Sequence, residues 1–146
     1  AAKTADDVAR DWERLKQEEK PRQSVLEGVP GTLPALAAAQ TMEGRARSVG
    51  FDWPDIEGPL DKLAEEIGEF ARAEGAAARE DEFGDILFVI ASIGQRLGID
   101  AEQALRGANA KFRRRFGEVE RLARERNVSP LGLWDEVKRE ERAGRL

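Results

Sequence analysis

Five carboxylates draw attention by type and spacing. Glu65, Glu66 and Glu69 read Glu-Glu-x-x-Glu, and after twelve residues Glu82 and Asp85 read Glu-x-x-Asp. Placed on helices at about 100° per residue, the first three acids fall within about 100° of one another. They lie opposite an apolar arc of about 120° made by Leu60, Leu63, Ala64, Ile67, Phe70 and Ala71. On the next helix, Glu82 falls inside an apolar arc of about 160° formed by Phe83, Ile86, Leu87, Val89, Ile90, Ile93 and Leu97. Asp85 lies about 40° beyond the edge of that arc. A carboxylate on a core-facing side is costly unless it is paired or metal-bound. A solvated acidic face accounts for Glu65, Glu66 and Glu69 taken alone. First-turn placement against the helix dipole explains Asp81 and Glu82 well, and Asp85 less well. In an antiparallel hairpin, however, the pairs Glu66/Glu69 and Glu82/Asp85 converge, and four carboxylates at one place call for a cation. All-oxygen ligands suit Mg²⁺, with Mn²⁺ as a substitute, and such an ion in turn implies a phosphate substrate. Lys111 and Arg115, spaced i, i+4 beside a stripe of Leu105, Ala108, Phe112, Phe116, Val119 and Leu122, offer the complementary charge. Ordinary surface decoration is the competing explanation for that pair.

The absences narrow the chemistry as much as the acids do. The chain has 146 residues with no His, no Cys and no Tyr. This excludes a thiolate nucleophile, a disulfide framework, a serine triad of the usual kind and imidazole metal ligands. The 24 basic and 29 acidic residues leave a net charge of −5, which argues against stable nucleic-acid binding. The longest clean apolar run, residues 86–91, is far too short to span a bilayer. Lys3, Asp6, Asp7 and Arg10 near the start do not read as a signal peptide, so a cytoplasmic location is expected.

These residues must be positioned by helices, because no stretch alternates at period two for long. The pattern predicts a first helix, capped by Asp6 or Thr4 and running to about Lys20, then a Pro/Gly-rich loop over residues 21–34. Further helices are expected over Leu36–Val49, Pro59–Glu74, Arg79–Leu97 and Ala101–Arg126, with Gly75 ending the second of these four and Asp100 capping the last. A short helix over Leu131–Arg142 closes the chain. Phe51-Asp52-Trp53-Pro54 reads as a turn carrying two aromatics. The pattern thus divides the chain into an N-terminal helix and loop over residues 1–34 and a run of helices over residues 35–146 that holds the acids.

At this point several blocks together resemble the MazG nucleoside triphosphate pyrophosphohydrolases. Leu60-Asp61-Lys62-Leu63-Ala64-Glu65-Glu66-Ile67-Gly68-Glu69 followed by Glu82-Phe83-Gly84-Asp85 is similar to that family's acidic signature. Val49-Gly50-Phe51-Asp52-Trp53 resembles its preceding turn, and Gly84-Asp85-Ile86-Leu87-Phe88 its Gly-Asp-Leu-Leu-Phe. The segment Ala108-Asn109-Ala110-Lys111-Phe112-Arg113-Arg114-Arg115-Phe116 resembles Asn-x-Lys-Phe-x-x-Arg-Phe, and Leu133-Trp134-Asp135-Glu136-Val137-Lys138 the family's tail. Residues 7–34 look like the connector between the tandem domains of full-length members, so the chain resembles the C-terminal, catalytic half.

The resemblance implies an all-α helical bundle whose four-helix core is completed by dimerisation. It implies Mg²⁺-dependent hydrolysis of nucleoside triphosphates to monophosphate and pyrophosphate. Carried over by position, Glu66, Glu69, Glu82 and Asp85 would hold the metal. Glu65 would be a supporting acid, and Glu65 or Glu69 the general base. Lys62, Lys111 and Arg115 would neutralise the phosphate chain, while Trp134 and Lys138 would lie near the nucleotide, with Trp134 stacking on the base. Members of the family carry a basic residue just before Glu-x-x-Asp, and Arg79 is the nearest candidate across an Ala-rich link. Two rivals stay open. One is a narrow-specificity dUTP/dCTP or damaged-nucleotide pyrophosphatase, and the other a non-catalytic helical interaction module.

Overall fold

A computed structural model describes residues 2–19 and 23–146. Among them the regular structure is helical: α1 (Ala5–Glu19), α2 (Ala35–Ser48), α3 (Glu57–Arg72), α4 (Ala76–Arg96), α5 (Ala101–Arg126) and α6 (Trp134–Arg142). The all-α expectation holds, and a single 3₁₀ turn, Pro130–Gly132, precedes α6. The far end of the expected first helix, at Lys20, lies outside the described residues. No described helix is long and apolar enough to cross a membrane.

Helix boundaries differ from expectation for local reasons. Helix α3 begins at Glu57 rather than Pro59, which leaves Pro59 in the first turn, where its missing N–H costs nothing. It ends at Arg72 because Ala73 is extended, with ψ 134°. Gly75, expected to stop α3, instead precedes α4 with φ 87°, a left-handed conformation that suits glycine. Ala76, Ala77 and Ala78 then join α4 rather than a link, as the strongest helix formers would. Asp100 caps α5 as expected, accepting from the Gln103 amide at 3.1 Å. Residues 131–132 belong to the 3₁₀ turn instead of α6, with Ser129 Oγ accepting from the Leu131 amide.

Two compact units divide after Gly98. In residues 1–98, α4 packs against both α2 and α3. The seam between α2 and α4 is built of small residues and polar links. Ala91 is fully buried, Ala39 nearly so, and Gly94 is also buried. Gln40 Nε2 donates to the Ala91 carbonyl (3.1 Å), Ser92 Oγ to Glu43 (3.1 Å), and Arg47 to Gln95 (2.7 Å). These partners climb both helices together, so α2 and α4 run in the same sense. Arg45 reaches back to the carbonyls of Val25 and Glu27, tying the connector to α2. In residues 99–146, Val119, Ala123, Leu133 and Val137 form a small buried core between α5 and α6. Arg126 makes a two-pronged ion pair with Glu136 across it, at 2.8 and 2.9 Å.

Candidate metal centre

The three-residue connection 73–75 folds α3 and α4 into an antiparallel hairpin, and this brings the acids together. One carboxylate oxygen from each of Glu66, Glu69 and Glu82 lies within 4.8 Å of the others. The solvated-face explanation fails for Glu66, which is only 5% exposed. Its Oε2 and the Oε2 of Glu82 are buried without a hydrogen-bond partner. A buried acceptor left unsatisfied is expensive, so each of these oxygens calls for a proton, a donor or a cation. Burial raises the Glu82 carboxyl above its ordinary value, and the negative charges of Glu69, Glu66, Asp85 and Asp81 push the same way. Asp85 is exposed and stands outside the trio, although its charge reaches Glu82. Three convergent carboxylates with two orphaned oxygens fit a hard divalent cation.

Lys62 brings positive charge to the cluster. Its Nζ lies 2.7 Å from Glu66 Oε1 and 3.4 Å from Glu65 Oε1. The bond to Glu66 raises the ammonium above its usual range, burial opposing, so Lys62 stays charged. Glu65 is exposed and turned towards Lys62 rather than into the trio. Arg79 is not brought to the cluster: its Nε donates to the Ala73 carbonyl and closes the hairpin connection.

The remaining candidates lie in the second unit. Lys111 is exposed on α5. Arg115 is bound by Glu141, which Arg114 also engages at 2.6 Å. The Trp134 ring packs 5.5 Å from that of Phe112, which itself stacks on Phe116. Lys138 is half-buried on α6.

A second charged group, invisible in the spacing of the acids, surrounds the turn after α2. Asp52 sits between Arg96, 2.9 Å away, and Arg47, whose Nε lies 3.1 Å away but out of line for a hydrogen bond. Arg96 also donates to the Trp53 carbonyl at 2.8 Å. Sequence reasoning saw the two aromatics of this turn but not the charges that hold it. Those charges come from two helices and have no common spacing.

Residues 56–119 match the family model of the MazG nucleotide pyrophosphohydrolase domain. These residues are a MazG domain. They include all five acids as well as Lys62, Arg79, Lys111 and Arg115, but not Trp134 or Lys138. The nucleoside triphosphate pyrophosphohydrolase of Escherichia coli strain K12 is 40% identical over 157 residues, covering 97% of this chain and 60% of that protein. The nucleoside triphosphate pyrophosphohydrolase/pyrophosphatase MazG of Thermotoga maritima is 40% identical over 113 residues, 76% of this chain and 44% of that protein. The uncharacterized protein YabN of Bacillus subtilis is 39% identical over 150 residues, 93% of this chain and 31% of that protein. The chain therefore spans 60% or less of the length of these relatives.

Proposed function

We propose that this MazG domain hydrolyses nucleoside triphosphates to the monophosphate and pyrophosphate, with Mg²⁺ held by Glu66, Glu69 and Glu82 and with Asp85 at the edge of the site. The observation that carries the reading is the pair of buried, unpartnered oxygens of Glu66 and Glu82 beside Glu69. The names of the Escherichia coli and Thermotoga maritima relatives support the same activity. When bound, the cation supplies charge against phosphate oxygens and acidifies water. Lys62 fixes the Glu66 carboxylate through its 2.7 Å contact. Glu69 or Glu65 takes the proton from the attacking water, since the chain has no His or Cys for that role. Lys111 and Arg115 are assigned to the phosphate charge by the resemblance, and Arg115 would have to exchange Glu141 for that ligand.

The reading extends to a homodimer in the cytoplasm. Ile67, Phe70, Phe83, Leu87 and Ile90 are all substantially exposed in the single chain. They include much of the two apolar arcs on α3 and α4, the faces that a partner copy would bury. The test is pyrophosphate release across a panel of ribo- and deoxynucleoside triphosphates, with and without Mg²⁺. Turnover of several substrates that vanishes with chelator is expected. No release from any of them, with no Mg²⁺-dependent heat on titration of ATP, would favour the non-catalytic interaction module.

A further inference from the structure

Helix α1 is built to form on local interactions. The Asp7 amide donates to Thr4 Oγ1 at 3.2 Å, and the Thr4 amide donates to Asp7 Oδ2 at 3.1 Å, a reciprocal cap. Arg10 pairs with Asp7 at 3.2 Å one turn on. The helix is also amphipathic: Val8, Trp12 and Leu15 fall within about 60° of one another. All three are at least 45% exposed, and among the described residues α1 packs against no other helix. A helix of 15 residues is marginal in water on its own, so this stripe calls for a surface to cover it. The root of the helix is fixed, because Arg45 of α2 donates to the carbonyls of Val25 and Glu27 shortly after α1 ends. Helix α1 is therefore an arm with an anchored base and an open apolar stripe.

The second unit carries a surface that matches this arm. A groove of about 460 Å³ lies between α5 and the 3₁₀ turn, walled by Phe112, Phe116, Val119, Pro130, Leu131 and Trp134. Phe112 and Phe116 stack with ring centres 5.6 Å apart, so the aromatic side is already assembled. Leu131 is 90% exposed, and the exposed Leu105 continues the apolar line along α5. The charges complement each other as well. Helix α1 holds six acids against three bases. Residues 101–116 of α5 hold five bases against one acid. An acidic amphipathic helix and a basic apolar groove attract at a distance and fit on contact.

We propose that α1 of one copy docks in this groove of a second copy, with Trp12 against Phe112 and Phe116 and with Val8 and Leu15 on either side of it. Anchors at i, i+4 and i+7 are the positions by which a helix laid in a groove is held. Each chain carries both the arm and the groove, so a two-fold pair makes the contact twice. The arm adds to the α3–α4 contact of the proposed dimer and does not replace it. The inference rests on self-association and not on the catalytic reading.

The chain has no cysteine, so disulfide trapping reads a single designed pair. Full-length Leu15→Cys is mixed with full-length Leu131→Cys under mild oxidation, with one of the two tagged, and the mixed disulfide is read on a non-reducing gel. Arg10→Cys, on the far side of α1 from the stripe, takes the place of Leu15→Cys as the control. A mixed disulfide from the Leu15 pair well above that from the Arg10 pair is expected. Trp12→Ala should weaken self-association in sedimentation equilibrium by about tenfold or more, the scale of a buried Trp anchor at an interface. Trp12→Phe keeps an aromatic ring and should recover most of the loss. Equal trapping at Leu15 and Arg10, or no trapping at either, would overturn the inference. So would a disulfide that closes only inside one chain carrying both Leu15→Cys and Leu131→Cys, because the arm would then cover its own groove. Unchanged association in Trp12→Ala would overturn it as well. A dimer without trapping would refute the arm and leave the α3–α4 contact standing, whereas a wild type that stays monomeric would refute both. Pyrophosphate release enters none of these readouts, so loss of the catalytic reading would show separately.

Discussion

Glu66 is the residue on which the site turns. Its burial leaves one oxygen to Lys62 and the other to no hydrogen-bond partner among the described residues, and Glu82 of the same cluster also has a buried oxygen without one. Removing the Lys62 charge should therefore expose the repulsion among the acids. Lys62→Met is expected to melt at a lower temperature than wild type without metal and to gain more from added Mg²⁺, because the cation then replaces the missing charge. Differential scanning fluorimetry over a Mg²⁺ titration measures both effects. An equal Mg²⁺ response in the two proteins would mean that Lys62 and the cation do not share Glu66. At this scale the site was largely legible, since the i, i+3 spacings on consecutive helices identify Glu66, Glu69 and Glu82 before any coordinates. Asp85 was read as an equal ligand, yet it lies outside the trio. A phase calculation on one helix cannot tell which turn of the neighbouring helix stands opposite. The clamp of Arg47, Asp52 and Arg96 was not legible at all. It depends on the parallel packing of α2 against α4, which no periodicity encodes.

At the scale of elements, the α3–α4 hairpin places the acids and Gly75 sets its connection. A residue with φ 87° pays for any side chain through its own backbone, even though open space surrounds the Cβ position. Gly75→Ala should cost about 1 kcal/mol or more of stability and lower the affinity for Mg²⁺ by disturbing the acid spacing. Chemical denaturation with and without Mg²⁺ would show this, and a neutral result would argue that the connection does not govern the site. Gly75 was read as a stop because glycine commonly ends helices. Three alanines directly after it override that signal in favour of an N-terminal cap. The α5–α6 pair carries a pH dependence. Hydrogen bonds from Arg126 hold the Glu136 carboxyl below its ordinary value of 4.5, with a smaller opposing push from burial. An acid with a lowered folded value binds fewer protons in the folded than in the unfolded chain. Its contribution is therefore complete above the ordinary carboxylate range and lost as pH falls through the lowered value. Glu136→Gln should be less stable than wild type at pH 7, with the gap closing on acidification. Thermal melts between pH 7 and pH 3 test the sign, and a gap that widens in acid would contradict it.

For the whole molecule, the distribution of apolar surface matters more than its amount. Among the described residues of the first unit, the buried apolar side chains are only Ala39, Pro59 and Ala91, whereas Ile67 and Phe83 are each 51% exposed. The apolar arcs were legible from their phase. What phase alone does not show is that α3 meets α4 partly through its acidic side, which leaves the arcs uncovered in the single chain. A second copy would cover them, so Phe70→Glu should convert a dimer to monomer in sedimentation equilibrium, and a wild-type chain that sediments as a monomer would refute the dimer. The claim beneath all of this is that the Glu66–Glu69–Glu82 cluster is the catalytic cation site. Its most direct test is Mg²⁺-dependent release of pyrophosphate from a nucleoside triphosphate by wild type and by Glu69→Ala, with the oligomeric state measured alongside. Wild type should release pyrophosphate only with Mg²⁺, and Glu69→Ala should lose that release while keeping its assembly. Full Mg²⁺-dependent release by Glu69→Ala would contradict the account.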